Sequence, residues 1–469
     1  MCKLYLLKKA FHQMDSPRRT RSNANLGDNG FMPFRVWMLG GVVFLSAIPY
    51  PGHGQESQWQ SLAGEASAMS RKVSPEKMDY NLEVGPVLLN VGATLTGGYN
   101  SNTGLSESAS GGSAYTTPAG NLTMMWPITD LNMLTFSLGF GYSYYFDVPE
   151  SQSPGGFFIS PTSALQGTFF VGDFRFSPYD QFSLQNDPTQ AGELSNLSRF
   201  SIYQNSAGCT VDWDLADLIV TAGFDWFNLW SSQSSFQNLE RRTLTPSLAV
   251  TYYITKTLIA GLEGAAALTE YTNSQPQAVA DPFNPDADPT LVDGQNNNIM
   301  YQVGPFVNWT ISEYITVTGR AGWTWGNFTG SNTPENEAGG NPSTAFFNFG
   351  WSHRLNEYLN YNLTASRSTQ LSAIVGSNFN EVWNAGLGLS WNIIDKLSIS
   401  TPISAQFGQV SGSLYPENYQ QYNIGIGLGY QITEKLGSAV NFNYIIKNSD
   451  LPDDGYQQWN ASAGFNYDF

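Results

Sequence analysis

The chain has 469 residues, a formal net charge of -17, 13% charged residues and 14% aromatic ones. So acidic a chain argues against nucleic acid as a partner. A mean hydropathy of -0.24, with no run of about 18 apolar residues after position 50, excludes a helical membrane protein. The cysteines are Cys2 and Cys209, with no CxxC pair or Cys/His cluster, so zinc is not expected.

Residues 1–54 read as an N-terminal extension followed by a cleaved signal peptide. Basic residues (Lys8, Lys9, Arg18, Arg19, Arg21) precede an apolar run over 34–48 with Arg35 at its front. Small residues at Gly52 and Gly54 place cleavage near Gly54/Gln55. Translation from Met32 would give a compact signal. The plainer alternative is a single-span anchor, but the run is short for a span, and Pro49 and Pro51 end it. Residues 1–54 hold seven bases and two acids, which leaves 14 bases, 36 acids and a net charge of -22 on the remainder. Residues 55–83 read as a polar periplasmic segment, expected to be disordered or plug-like.

From residue 84 to 469 the chain repeats one unit: strand, tight turn, strand, longer polar loop. Leu134, Phe136, Leu138, Phe140, Tyr142 and Tyr144 alternate with Thr135, Ser137, Gly139, Gly141 and Ser143. Tyr422, Ile424, Ile426, Leu428 and Tyr430 alternate with Asn423, Gly425, Gly427 and Gly429. Successive strand side chains point to opposite faces, so each segment has one greasy face and one polar face. About ten such residues, tilted by about 45°, cover an outer-membrane apolar band of ~25 Å. Tight turns are expected at 127–130, 178–180, 214–217, 255–256, 312–313, 356–357, 395–396 and 433–435. Loops over 101–117, 147–163, 273–296 and 329–343 are longer and rich in Gly, Ser, Asn, Pro and Asp. The predicted fold is all-β: an antiparallel up-and-down transmembrane β-barrel of eighteen strands, with sixteen as the alternative. Its short turns would be periplasmic and its long loops extracellular. A barrel of this size leaves an aqueous channel.

The closing stretch alternates Trp459, Ala461, Ala463, Phe465, Tyr467 and Phe469 with Gln458, Asn460, Ser462, Gly464, Asn466 and Asp468. It resembles the C-terminal signature of bacterial outer-membrane barrels, which the barrel-assembly machinery recognises; that likeness casts Phe465, Tyr467 and Phe469 as an assembly signal. The opening strand and loop, Val91 to Asn102 (VGATLTGGYNSN), resemble the start of the β-barrel porin families of Gram-negative bacteria (β-barrel porin 2-like). Those families often carry a Tyr-Asp-Ser-Asn motif where this chain has Asn100 after Tyr99. The resemblance covers residues 84–469. It implies an outer-membrane location and a pore or export role, with no substrate and no catalytic residue.

Charges on the small polar face of the strands are lumen candidates: Asp173, Arg175, Asp225, Glu263 and Arg320. A basic residue facing lipid at the midplane would cost ~2–4 kcal/mol, so the lumen is their expected home. There they either sit simply solvated or bias ion selectivity; the acidic excess favours weak cation preference. His353 is the one histidine outside the leader. It shares a face with Phe347, Phe349 and Trp351, an interfacial position without a fixed acid, so no enzyme activity is expected. Asp281, Asp286, Asp288 and Asp293 crowd one loop, where carboxylates could hold Ca²⁺, but they match no EF-hand and read as a solvated loop. Cys209 shares a face with Val211 and Trp213 and reads as lipid-facing filler. No cofactor is expected. The expected partners are outer-membrane lipid, the assembly machinery and small hydrophilic solutes, with a homo-oligomer left open. The expected function is a porin-like channel. The alternatives are a barrel that anchors adhesive surface loops and an outer-membrane component of polysaccharide export.

Overall fold

The computed structural model describes residues 80–107, 111–148, 154–186, 192–196, 201–284, 286–292, 294–329 and 340–469. The expected signal peptide, Asp293 and much of the expected periplasmic segment therefore lie outside the described residues.

Eighteen antiparallel strands close into one ring. In chain order they are β1 Val87–Asn100, β2 Ser113–Pro127, β3 Met133–Tyr145, β4 in two pieces (Gly155–Ile159 and Ala164–Val171), β5 Phe174–Gln185 and β6 Ile202–Asp214. There follow β7 Leu218–Ser231, β8 Arg241–Tyr253, β9 Leu258–Tyr271, β10 Asn298–Ser312, β11 Ile315–Phe328 and β12 Ser343–Arg354. The last six are β13 Leu359–Leu371, β14 Phe379–Ile394, β15 Leu397–Ser411, β16 Glu417–Gln431, β17 Leu436–Ser449 and β18 Tyr456–Asp468. Each strand pairs with its sequence neighbours, and β18 closes the ring on β1 with Phe465 opposite Leu95.

Closure is incomplete at one corner, and the chain covers it. The β1–β18 ladder begins at Gly92, so residues 87–91 would present an open edge. A short strand, Leu82–Val84, folds back through Gly85 (φ +62°) and pairs there, Leu82 opposite Leu89. Asn81 extends the patch: its amide donates to the Val91 carbonyl at 2.7 Å, and its carbonyl oxygen accepts the Val91 N–H at 3.1 Å.

The two faces differ as the alternation requires. Along β16 the residues alternate buried and exposed from Glu417 to Leu428, with Tyr419 and Gln421 inward and Tyr422, Ile424, Ile426 and Leu428 outward. Outward aromatics gather near both ends of the wall. Trp126, Trp213, Trp309 and Trp391 stand near the short turns; Tyr144, Trp230, Trp325, Trp383 and Trp459 stand near the long loops. These are the two belts that amphipathic rings form at membrane interfaces.

Five prolines, Pro118, Pro178, Pro246, Pro305 and Pro402, lie inside strands. A proline has no N–H to give a ladder. In each case the pairing on one side steps over the proline without changing register, as from Thr116–Tyr144 to Ala119–Gly141. One of them corrects the sequence reading. The expected turn at 178–180 is the interior of β5; the chain turns instead at Gly172-Asp173, where Gly172 has φ +63°. The other expected turns fall where strands meet, at 128–132, 215–217, 254–257, 313–314, 355–358, 395–396 and 432–435.

Candidate functional site

The lumen is the site, built by the inward residues of each strand. Near the short-turn end, Arg175 on β5 meets Asp212 on β6 in register. The Arg175 Nε donates to Asp212 Oδ2 at 2.8 Å, and the Thr221 hydroxyl donates to the other carboxylate oxygen at 2.6 Å. Farther along the wall, Arg320 on β11 forms an ion pair with Glu263 on β9 and donates to the Gln302 side-chain Oε1 at 2.9 Å. Its guanidinium lies 4.9 Å from the Phe346 ring centre, a cation–π placement. Asp225 on β7 differs, since its Oδ2 accepts the Tyr179 hydroxyl at 2.6 Å and the Ser206 hydroxyl, which are neutral donors. Elsewhere on the β2–β5 wall, hydroxyls and amides take over: Thr123, Thr135, Ser137, Gln166 and Gln181 line a cavity of about 350 Å³.

At the long-loop end a strap narrows the lumen. Residues 192–196, between β5 and β6, reach the far wall; in a ring of eighteen, strands five and six stand opposite fourteen and fifteen. Glu193 accepts the Ala373 N–H at 2.9 Å and the Ser372 hydroxyl at 3.1 Å, in the β13–β14 connection. Lys447 on β17 donates to the Glu193 backbone oxygen at 3.2 Å and to the Ser195 hydroxyl at 2.7 Å. The Ser195 hydroxyl donates onward to the Asp454 carbonyl, and Asn196 donates to the Asp453 carbonyl, each at 2.7 Å. Lys447 also pairs with Glu417 at 2.9 Å, where both side chains are fully buried. Beneath the strap, Tyr419 receives the Asn380 amide at 2.9 Å, and its ring lies so close over Gly408 that a Cβ there would collide with it. Burial raises the Glu193 carboxyl from 4.5 to about 7, against the opposing pull of its two donors and Lys447; Glu417 adds to the rise.

Of the lumen candidates, Arg175, Asp225, Glu263 and Arg320 point inward, and the structure joins Glu263 to Arg320. Asp173 sits in the Gly172-Asp173 turn and not in mid-strand. Asp212, Glu417 and Lys447 were missed, although parity marks them: Lys447 shares its face with Asn441 and Asn443. Glu193 carried no such signal, because a polar loop has no period. Asp180 breaks the rule that strand charges face the lumen. It points outward, where the Asn205 amide donates to it at 2.6 Å.

His353 stands in the short-turn belt, its Nδ1 2.9 Å from the Tyr361 hydroxyl. Cys209 points outward opposite Phe224. Asp281 accepts the Phe283 N–H within its own loop, and no group of metal-ligating side chains occurs among the described residues. Phe465, Tyr467 and Phe469 are exposed on the outer face.

No family model and no curated protein matches the chain. Solved structures do. The outer membrane protein opdK from Pseudomonas aeruginosa aligns over 81% of this chain and 99% of its own at 8% identity, with a TM-score of 0.43. A BenF-like porin from Pseudomonas fluorescens Pf-5 aligns over the same shares at 10% identity and a TM-score of 0.44. OccAB3 from Acinetobacter baumannii aligns over the same shares at 9% and 0.42. TM-scores below 0.5 carry no argument, so function is read from the barrel's own residues.

Proposed function

We propose that the protein is an outer-membrane channel through which small hydrophilic solutes diffuse, with a weak preference for cations. The observation that carries this reading is the division of the closed wall into an aromatic outer face and an inner face of hydroxyls, amides and ion pairs. A closed barrel pairs its backbone groups from strand to strand, as lipid demands. The inner face offers solutes hydrogen bonds in place of water.

Selectivity would follow from which luminal charges are neutralised in place. Arg175 and Arg320 each carry a carboxylate partner, whereas Asp225 is held by neutral hydroxyls. Asp225 would thus add a negative field to the lumen, which attracts cations. The docked strap at 192–196 would set the narrowest passage. Phe465, Tyr467 and Phe469 would serve insertion through the assembly machinery.

Swelling of liposomes carrying the folded protein tests the reading. Small sugars and amino acids should enter at rates that fall with solute size. Folded, inserted protein that admits none of them would contradict it.

A further inference from the structure

Above the long-loop aromatic belt, the outer face carries a polar shelf that the channel does not use. Glu381 on β14, Gln409 on β15 and Asn418 on β16 stand in register across three strands. One row below are Trp383, Phe407 and Gln420. Together these residues line a cavity of about 260 Å³. Its floor is aromatic, with Trp383 46% and Phe407 41% exposed.

The lining chemistry narrows the ligand. Arg367 donates to Glu381 Oε2 at 2.8 Å, and its guanidinium lies 5.1 Å from the Trp383 ring centre. That guanidinium is thus committed to the carboxylate and the ring, and no lysine or arginine lines the cavity. The Arg367–Glu381 pair is neutral as a whole, so the cavity holds no unpaired cation to attract an anion. Hydroxyls do find partners: a carboxylate accepts from them, and carboxamides both donate and accept. Gln420 gives its carbonyl oxygen to the Tyr422 hydroxyl at 3.1 Å, which leaves its amide N–H groups to donate. Asn418 spends its amide on Asp450 at 2.8 Å, which leaves its carbonyl oxygen to accept. An aromatic floor under a rim of carboxylate and carboxamides suits the apolar face and hydroxyl edge of a sugar ring. The volume falls just below the ~300–1,000 Å³ typical of drug-sized ligands, the scale of one or two rings. The position, immediately outside the aromatic belt, is where lipid headgroups lie.

We propose that this shelf binds a sugar of a membrane glycolipid headgroup, holding that lipid against β14–β16. The inference goes beyond channel activity and does not depend on conduction.

Native mass spectrometry of the full chain in detergent tests it with four probes: a short-core lipopolysaccharide, the same lipid stripped of phosphate, phosphatidylglycerol, and the free core oligosaccharide. Both glycolipids should bind alike, about tenfold or more tighter than phosphatidylglycerol, a difference readily resolved. Trp383→Ala combined with Gln409→Ala should weaken glycolipid binding by about tenfold. Gln409→Ala alone covers the case in which the double variant does not fold, and should weaken it in the same sense. Trp309→Ala, at the opposite belt, should bind as the wild type does. Loss of binding on phosphate removal, equal binding of phosphatidylglycerol, or unchanged binding by the shelf variants would overturn the proposal. Equally tight binding of the free oligosaccharide would overturn its membrane half. Swelling assays read a separate property, so failure of the channel reading and failure of this one are told apart.

Discussion

Lys447 touches three groups at once: the Glu417 carboxylate, the Glu193 backbone oxygen and the Ser195 hydroxyl. Removing one partner of a buried pair costs about 3–5 kcal/mol, because the other charge is left without compensation. Lys447→Met should therefore destabilise the barrel by that amount in urea titrations in vesicles. A loss below about 1 kcal/mol, the worth of an exposed pair, would show that water reaches Glu417. Asp225 makes the opposite prediction. Its donors are hydroxyls, so Asp225→Asn keeps hydrogen-bonding capacity while removing charge. Reversal potentials measured across a salt gradient should move toward zero, and stability should change little. A reversal potential identical to that of the wild type would remove Asp225 from the selectivity account. The strand prolines belong to this scale too. Each is tolerated because one ladder steps over it, and Pro178 misled the sequence reading for that reason. Pro-Tyr-Asp reads locally as a turn, whereas cross-strand partners on both sides keep it extended.

The strap at 192–196 carries the group from which a pH response of the lumen is predicted. Glu193 binds its proton more tightly when docked, with its carboxyl raised from 4.5 to about 7. A raised acid favours the docked form while protonated. Docking is therefore strongest below pH about 4.5 and weakens as pH rises through about 7. That interval corresponds to on the order of 3 kcal/mol, already net of Ala373, Ser372 and Lys447, which favour the charged form. Glu417, Asp454 and Tyr419 face the same spot. Unitary conductance should rise between pH 5 and pH 8, and Glu193→Gln should hold the low-pH value throughout. Conductance that is flat with pH in the wild type would dismiss the strap as a pH-responsive element. Strands were legible in the sequence because alternation with period two is a local property, clear in 134–144 and 422–430. The strap was not, since its inward path is fixed by residues more than 170 positions away in the chain.

At the scale of the whole molecule, one ring of eighteen strands keeps lipid and water apart. The sequence carried the count, because short turns and long loops alternate. It could not carry the patch formed by Leu82–Val84, nor the polar shelf on β14–β16, which exist only once register brings distant strands together. Of the charges that register brings inward, Arg175, Glu263 and Arg320 find partners in the lumen that composition cannot show. The measurement that bears most directly on this architecture is single-channel recording of the purified, folded protein in a planar bilayer. Discrete conductance steps with a modest cation preference are the predicted result. A folded, inserted barrel that passes no current at any pH from 5 to 8, or one that prefers anions, would contradict it.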